Sequence, residues 1–292
     1  MLGTGAALAD PDRGHSGIVI SVGDRHYLLD IGHGTTRQLV RANIAPADVN
    51  HVFISHLHFD HIEDAAYFLI ASWMSNRTEK PAIYGPPGTR DFVGHLLENG
   101  AFHADIHARM QYKQRAETAE MIRPDVHEFG PGPVFDDGVI KLSADYVEHI
   151  APEIMHCFGF RIEAAGKVIA FSGDTAPCEA MVRLAQDADL LIHECTFPEA
   201  ALEFRRKTGI GTYAHTSPLE LGKLATRARV KSLVATHFGH FDTTNPILKR
   251  YLAQHMPIEL VGPDFMESVV SDIRRNYDGS LRIAHDLMRI DL

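Results

Sequence analysis

Apolar runs that end in a histidine or a carboxylate recur along this chain, at Asp30, His56, Asp174, Glu194 and His237. Val52-Phe53-Ile54, Leu190-Leu191-Ile192 and Ser232-Leu233-Val234-Ala235 are short and largely apolar, so each reads as a buried strand. Polar side chains at the ends of several buried strands are how an α/β scaffold assembles one site. The pattern therefore predicts an α/β domain whose function sits at strand ends.

The densest such strand end is His56-Leu57-His58-Phe59-Asp60-His61. Side chains two apart on an extended segment point the same way, so His56 and His58 converge on one ion. The chain then turns, and Asp60 and His61 face a second. Two ions about 3.5–4 Å apart polarise an ester and hold a hydroxide between them. A merely histidine-rich surface loop is the plain alternative, and the ligand-type residues downstream weigh against it.

Of the 292 residues, 45% are hydrophobic, enough for a large packed core. Net charge is −10, which repels polyanions at long range and argues against dedicated nucleic-acid binding. The loose basic cluster at Arg109, Lys113 and Arg115 reads as a solvated helix face. Cys157, Cys178 and Cys195 are odd in number and far apart, which fits free thiols in a reducing cytosol. The start, Met1-Leu2-Gly3-Thr4-Gly5, has neither a basic region nor an apolar one, so no signal peptide is read there. No apolar run approaches the ~18 residues that span a bilayer. The expectation is a soluble cytoplasmic protein without membrane attachment, and a homodimer is left open.

No linker or low-complexity tract divides the chain, so residues 1–292 read as one domain. Gly17 to Val22 and His26 to Asp30 form strands about a turn at Gly23-Asp24. One helix follows Gly34, and another runs from His61 through Trp73. Residues 82–84 are a short strand ending at Gly85-Pro86-Pro87-Gly88. Residues 89–120 read as helical, and 89–130 as a helical lid or insertion. Pro131-Gly132-Pro133 breaks the chain into a loop, before strands at 139–142, 159–163 and 168–171.

The first ion needs a third ligand. His149, close after a strand, is the choice; His156 and His127 are rivals, and position alone does not separate the three. Asp174, after Phe171-Ser172-Gly173, is placed to bridge both ions, with Gly173 allowing close backbone approach. His237 completes the ligand set of the second ion. A set of imidazoles and carboxylates without thiolate suits Zn²⁺ first, with Mn²⁺ and Fe²⁺ as alternatives.

These residues resemble the metallo-β-lactamase-fold hydrolases, in the branch containing ribonuclease Z, bacterial arylsulfatases and phosphodiesterases. The likeness is carried by Leu2-Gly3-Thr4-Gly5, Leu28-Leu29-Asp30-Ile31-Gly32, His56 to His61, Tyr84-Gly85-Pro86-Pro87-Gly88-Thr89, Phe171-Ser172-Gly173-Asp174-Thr175 and Thr236-His237-Phe238. It implies an αββα four-layer sandwich of two mixed β-sheets flanked by helices, with a dinuclear site, and it selects His149 over its rivals. It also implies a first strand beginning ahead of Leu2-Gly3-Thr4-Gly5, the turn at which this chain starts. Asp30 and Glu194 are the candidates to hold ligand ring N–H groups in place, although Asp30 also reads as a turn residue capping the next helix. His215, in Ala214-His215-Thr216-Ser217-Pro218, matches a non-ligand histidine near the leaving group and is read as a proton donor. The plain alternative is a loop leading into the helix that Ser217-Pro218 starts.

Some features depart from ribonuclease Z. Only 25 positions separate His149 from Asp174, too few for the tRNA-gripping arm that the resemblance places there. His33, Ala176 and His240-Phe241 stand where Glu, Arg and Arg-Tyr are usual. The function read from the sequence is therefore hydrolysis of a small ester, a phosphodiester or sulfate ester first, by a hydroxide held between two divalent ions. Asp60 would orient the nucleophile and His215 would act as acid. The alternatives are a lactone or carboxylic ester hydrolase, a ribonuclease Z-type tRNA 3′-endonuclease, and an iron-dependent redox enzyme. A degenerate, non-catalytic protein would have lost a ligand, and none is missing.

Overall fold

The computed structural model describes residues 1–98, 100–209, 214–254, 261–262 and 264–292. They form two compact units, each built on one mixed sheet flanked by helices. The first holds residues 1–3, 12–130 and 286–289; the second holds 4–11, 131–285 and 290–292.

In the first unit the sheet order is β1 (Ile18–Val22), β2 (Arg25–Leu29), β3 (Val49–Phe53), β4 (Ala82–Gly85) and β5 (Asp125–Glu128). β1 and β2 are antiparallel about the two-residue turn, where Gly23 takes φ 59°. The later pairs are parallel, each joined by sequence long enough to hold a crossover. The helices are α1 (Thr35–Arg41), α2 (Phe59–Ile62), α3 (Ala65–Met74), α4 (Thr89–Leu97), α5 (His103–Arg109) and α6 (Lys113–Glu117). Leu28 and Val52 from the strands, with Ile54 just past β3, pack with Phe68, Leu69 and Trp73 from α3.

The helix expected from His61 to Trp73 is two helices, interrupted at Glu63-Asp64. Asp64 turns its carboxylate back to accept the Thr36 backbone N–H at 2.6 Å. The segment 89–130 carries more than helices. It supplies β5 and buries Val93, Leu97, Ile106 and Ile122 in the unit's core.

The second unit has the order β12 (Ser280–Ile283), β11 (Ser232–Thr236), β10 (Leu190–Glu194), β9 (Lys167–Phe171), β8 (Phe158–Ala164), β7 (Ile140–Tyr146) and β6 (Gly132–Asp136). Four neighbouring strands from β12 to β9 run parallel; β9 to β6 form an antiparallel meander. Pro131-Gly132-Pro133 leads into β6 instead of a loop. β6 lies at the sheet edge, where a proline's missing N–H costs no ladder bond, and the register slips between Pro133 and Phe135. Helices α7 (Glu179–Leu184), α8 (Glu199–Thr208), α9 (Pro218–Arg227), α10 (Pro246–Leu252) and α11 (Phe265–Arg274) complete the unit. Ser217 caps α9, its hydroxyl accepting the Glu220 N–H, with Pro218 at the first helical position. Leu221 and Leu224 of α9 pack with Val269 and Ile273 of α11. Among the described residues, no helix is long and apolar enough to cross a membrane.

Candidate metal centre

In the first unit, β3 delivers the chain into Ser55 and His56, both fully buried. Asp30, at the end of β2 with φ 55°, gathers the polar groups around that strand end. Its carboxylate accepts from the Ser55 N–H at 2.8 Å, the Ser55 hydroxyl at 3.0 Å, the Ser16 hydroxyl at 3.1 Å and His61 Nδ1 at 2.6 Å. Asp30 caps no helix; Gly34 precedes α1. The Ser55 hydroxyl already donates its hydrogen bond to Asp30, so it accepts from His56 Nδ1 at 3.1 Å. That makes Nε2 the lone-pair atom of His56, and it lies 3.0 Å from His58 Nδ1. His61 Nε2 lies 3.7 Å from Asp60 Oδ2.

In the second unit the logic repeats with other partners. His149 Nδ1 donates to the Ala214 carbonyl at 2.9 Å, which leaves Nε2 as the ligand-type atom, 3.9 Å from Asp174 Oδ2. His237 Nδ1 donates to the Thr196 hydroxyl at 2.9 Å, because that hydroxyl has already donated to Glu194 at 2.7 Å. His237 Nε2 then faces the other Asp174 oxygen, Oδ1, at 3.3 Å. One carboxylate thus addresses two separate imidazoles with its two oxygens. Burial pushes the His149 pKa down, more than the neighbouring Asp174 raises it, so the ring stays neutral and fit to ligate.

Glu194, at the end of β10, is the hub of this half. Oε1 accepts from His215 Nδ1 at 2.8 Å and from the Thr175 N–H at 3.0 Å, while Oε2 takes the Thr196 N–H and hydroxyl. Burial alone would raise the Glu194 carboxyl pKa. The charge and hydrogen bond of His215 outweigh it and hold the group below the ordinary range. The His215 ring lies 4.9 Å from that of His149, centroid to centroid, and 6.3 Å from that of His237.

These donor sets fit divalent ions. In His61, His149 and His237 the outer ring nitrogen is held by carboxylate, carbonyl or hydroxyl, the arrangement that orients an imidazole toward a metal. The histidine and aspartate clusters are compatible with a dinuclear metal site. The rivals of His149 are otherwise engaged: His127 stacks on Tyr84 and His156 on Tyr146. His103 and His107 stack on each other along α5. His193 is fully buried, its Nδ1 donating to the Glu194 carbonyl, and His240 pairs with Asp10 at 2.5 Å. Sequence reasoning did not single out Ser55, Thr196 or Asp10. Thr196 follows Glu194 by two positions, so alternation could have found it; Asp10 and His240 stand 230 positions apart.

A family model described as anti-Pycsar protein Apyc1 matches residues 1–240. A ribonuclease Z of Mycobacterium bovis (strain BCG / Pasteur 1173P2) is 31% identical, the match covering 100% of this chain and 97% of the relative. Among solved structures, human tRNase Z, short form, superposes with a TM-score of 0.67 at 25% identity, over 99% of this chain and 96% of that one. The metallo-β-lactamase fold protein YhfI of Bacillus subtilis gives 0.70 at 19% identity, over 98% and 95%, a likeness of fold.

These relatives correct the expected partner. A small ester to the exclusion of nucleic acid does not stand when full-length relatives carry the name ribonuclease Z. A net charge of −10 is a sum over the whole surface, most of it screened beyond ~8 Å, whereas a bound phosphate responds to the groups touching it.

Proposed function

The chain belongs to the family described as anti-Pycsar protein Apyc1 and is a metal-dependent hydrolase of the metallo-β-lactamase superfamily, and from that premise we propose that it hydrolyses phosphodiester bonds in RNA in the manner of ribonuclease Z. The observation that carries this reading is Asp174 with its two oxygens turned to His149 and His237. His56, His58 and His149 would hold one divalent ion; Asp60, His61 and His237 a second; Asp174 both. Zn²⁺ suits these donors first. The ions would supply Lewis-acid polarisation of the phosphoryl oxygens and a lowered pKa for the attacking water.

The protein's own groups divide the remaining work. Asp60 orients the nucleophile. Its neighbour His61 is fixed by Asp30, so the pair keeps its aim without rearrangement. His215, fixed at Nδ1 by Glu194, presents Nε2–H in its protonated form to the departing ribose oxygen. The Glu194 carboxylate stabilises that imidazolium as the Asp of a catalytic triad does. Proton donation of this kind contributes roughly 10²–10⁴-fold.

The test is a turnover panel with the metal-loaded protein: a 3′-extended pre-tRNA, an aryl ester of a nucleoside monophosphate, and an aryl sulfate. Site-selective trimming of the pre-tRNA supports the proposal. Hydrolysis of the nucleotide ester with no cleavage of RNA would move the substrate to a shorter nucleotide and sink the RNA reading.

A further inference from the structure

Phe59 stands between His58 and Asp60, yet its side chain is 54% exposed while Asp60 and His61 are buried. A large aromatic left in water forfeits the gain of burial. The ring is nevertheless held in place. His15, itself buried, meets it edge-on at 5.8 Å with an interplanar angle of 78°. His15 is fixed in turn by Glu63, with Nδ1 3.5 Å from Oε2, and by close backbone packing at Gly32. Any Cβ at Gly32 would lie 2.1 Å from the Asp60 carbonyl and 2.7 Å from the His15 Cβ, so this rim tolerates no slack. Beside the ring, Glu63 is half-exposed and His33 is open to solvent, with His33 Nδ1 3.9 Å from Glu63 Oε1.

We propose that Phe59, with Glu63 and His33 at its edge, is a nucleobase-binding platform that selects the nucleotide next to the bond being cut. The chemistry names the occupant. A flat, rigid, exposed ring stacks a base by its π-face, which every base has. The Glu63 carboxylate excludes a phosphate and accepts from an exocyclic amine, as carboxylates do with cytosine N4. His33 adds a ring nitrogen for a neighbouring edge atom. Phe59 is thus a specificity-determining residue, placed by the same turn that presents His58 and Asp60.

This inference rests on the phosphodiester reading, and the experiment separates the two. Binding of cytidine 5′-monophosphate and of ribose 5-phosphate is measured by titration calorimetry on the metal-loaded protein, its Phe59→Leu variant and its Phe59→Trp variant. Leucine keeps apolar bulk against His15 and removes the π-face; tryptophan keeps both. Stacking predicts that Phe59→Leu weakens the nucleotide by roughly 5- to 150-fold, leaves ribose 5-phosphate little changed, and that Phe59→Trp binds as the parent does. Equal weakening of both ligands, or a parent that binds the nucleotide no more tightly than the sugar phosphate, overturns the platform. Methyl p-nitrophenyl phosphate, which has no base, tests the other premise. If the parent fails to hydrolyse it, the phosphodiester reading falls while the calorimetry still decides the platform.

Discussion

Asp174 places two oxygens against two histidines, so its loss leaves neither ion a complete set of ligands. Asp174→Ala should lose both ions and all turnover together, read by elemental analysis after metal loading. A variant that kept two ions and full activity would take Asp174 out of the site. His215 and Glu194 make a different prediction, because neither touches an ion in this reading. His215→Ala should retain metal yet slow esters with alkoxide leaving groups by roughly 10²–10⁴-fold, while nitrophenyl esters, whose leaving group needs no proton, fall far less. Glu194→Gln should show the same leaving-group dependence in weaker form, since an amide oxygen still accepts from Nδ1 but no longer stabilises the imidazolium. Equal losses on both ester types would make His215 structural. Asp174 and Glu194 were identifiable from their places after apolar strands, and His215 from the motif around it. The hydroxyls of Ser55 and Thr196, which decide which ring nitrogen carries the proton, were not, because a serine or threonine in a sequence signals no particular partner.

Elements in the middle of each sheet declare themselves, as does the edge strand β1 through its turn into β2, whereas β5, β6 and β12 do not. β3, β4, β9, β10 and β11 are apolar runs ending at turns, and each was readable. β5, β6 and β12 lie at sheet edges, where one side of the backbone and much of the side-chain surface meet solvent. β5 reads Asp-Val-His-Glu with a largely exposed pattern, so the alternation that marks a strand is absent. Helix packing hides in the same way. Gly222 lies mid-helix in α9, where replacement by alanine would ordinarily gain about 1 kcal/mol of helix propensity. Here a Cβ would lie 2.4 Å from the Ile273 carbonyl oxygen of α11. Gly222→Ala should therefore destabilise by about 1–3 kcal/mol, seen as a lower Tm. An unchanged or raised Tm would mean that α11 yields easily.

Over the whole molecule, buried imidazoles make stability sensitive to mild acid. Burial lowers the pKa of His149 and His193 from the ordinary 6.5, so the folded chain refuses protons that the unfolded chain accepts. Their contribution is intact above that value and declines as pH falls through it toward the lowered folded-state values. The Tm of the metal-free protein should drop on going from about pH 7.5 to about pH 5.5, before the carboxylates titrate. His193→Phe should flatten that slope, and an unchanged slope would exclude His193 as a source. Divalent metal should raise the Tm at any pH at which it binds, because it stabilises the folded state alone.

Strand ends bearing histidine and carboxylate pointed to an α/β scaffold with ligands suited to two ions, because hydrophobic periodicity and ligand spacing are local properties of a chain; the hydrolase family came from the resemblance of the motifs. The expectation against a nucleic-acid partner failed for the opposite reason. Total charge is a sum over the surface, and the sum does not say what surrounds a bound phosphate. Position along the chain did not separate His127, His149 and His156; the family resemblance favoured His149, and the tertiary structure sets His149 beside Asp174 while His127 and His156 stack on tyrosines. It also decided that Glu194 and His215, 21 positions apart, form one hydrogen-bonded pair, and that Phe59 faces outward beside its buried neighbours. Those outcomes depend on which surfaces meet across long stretches of chain, and no local pattern encodes them.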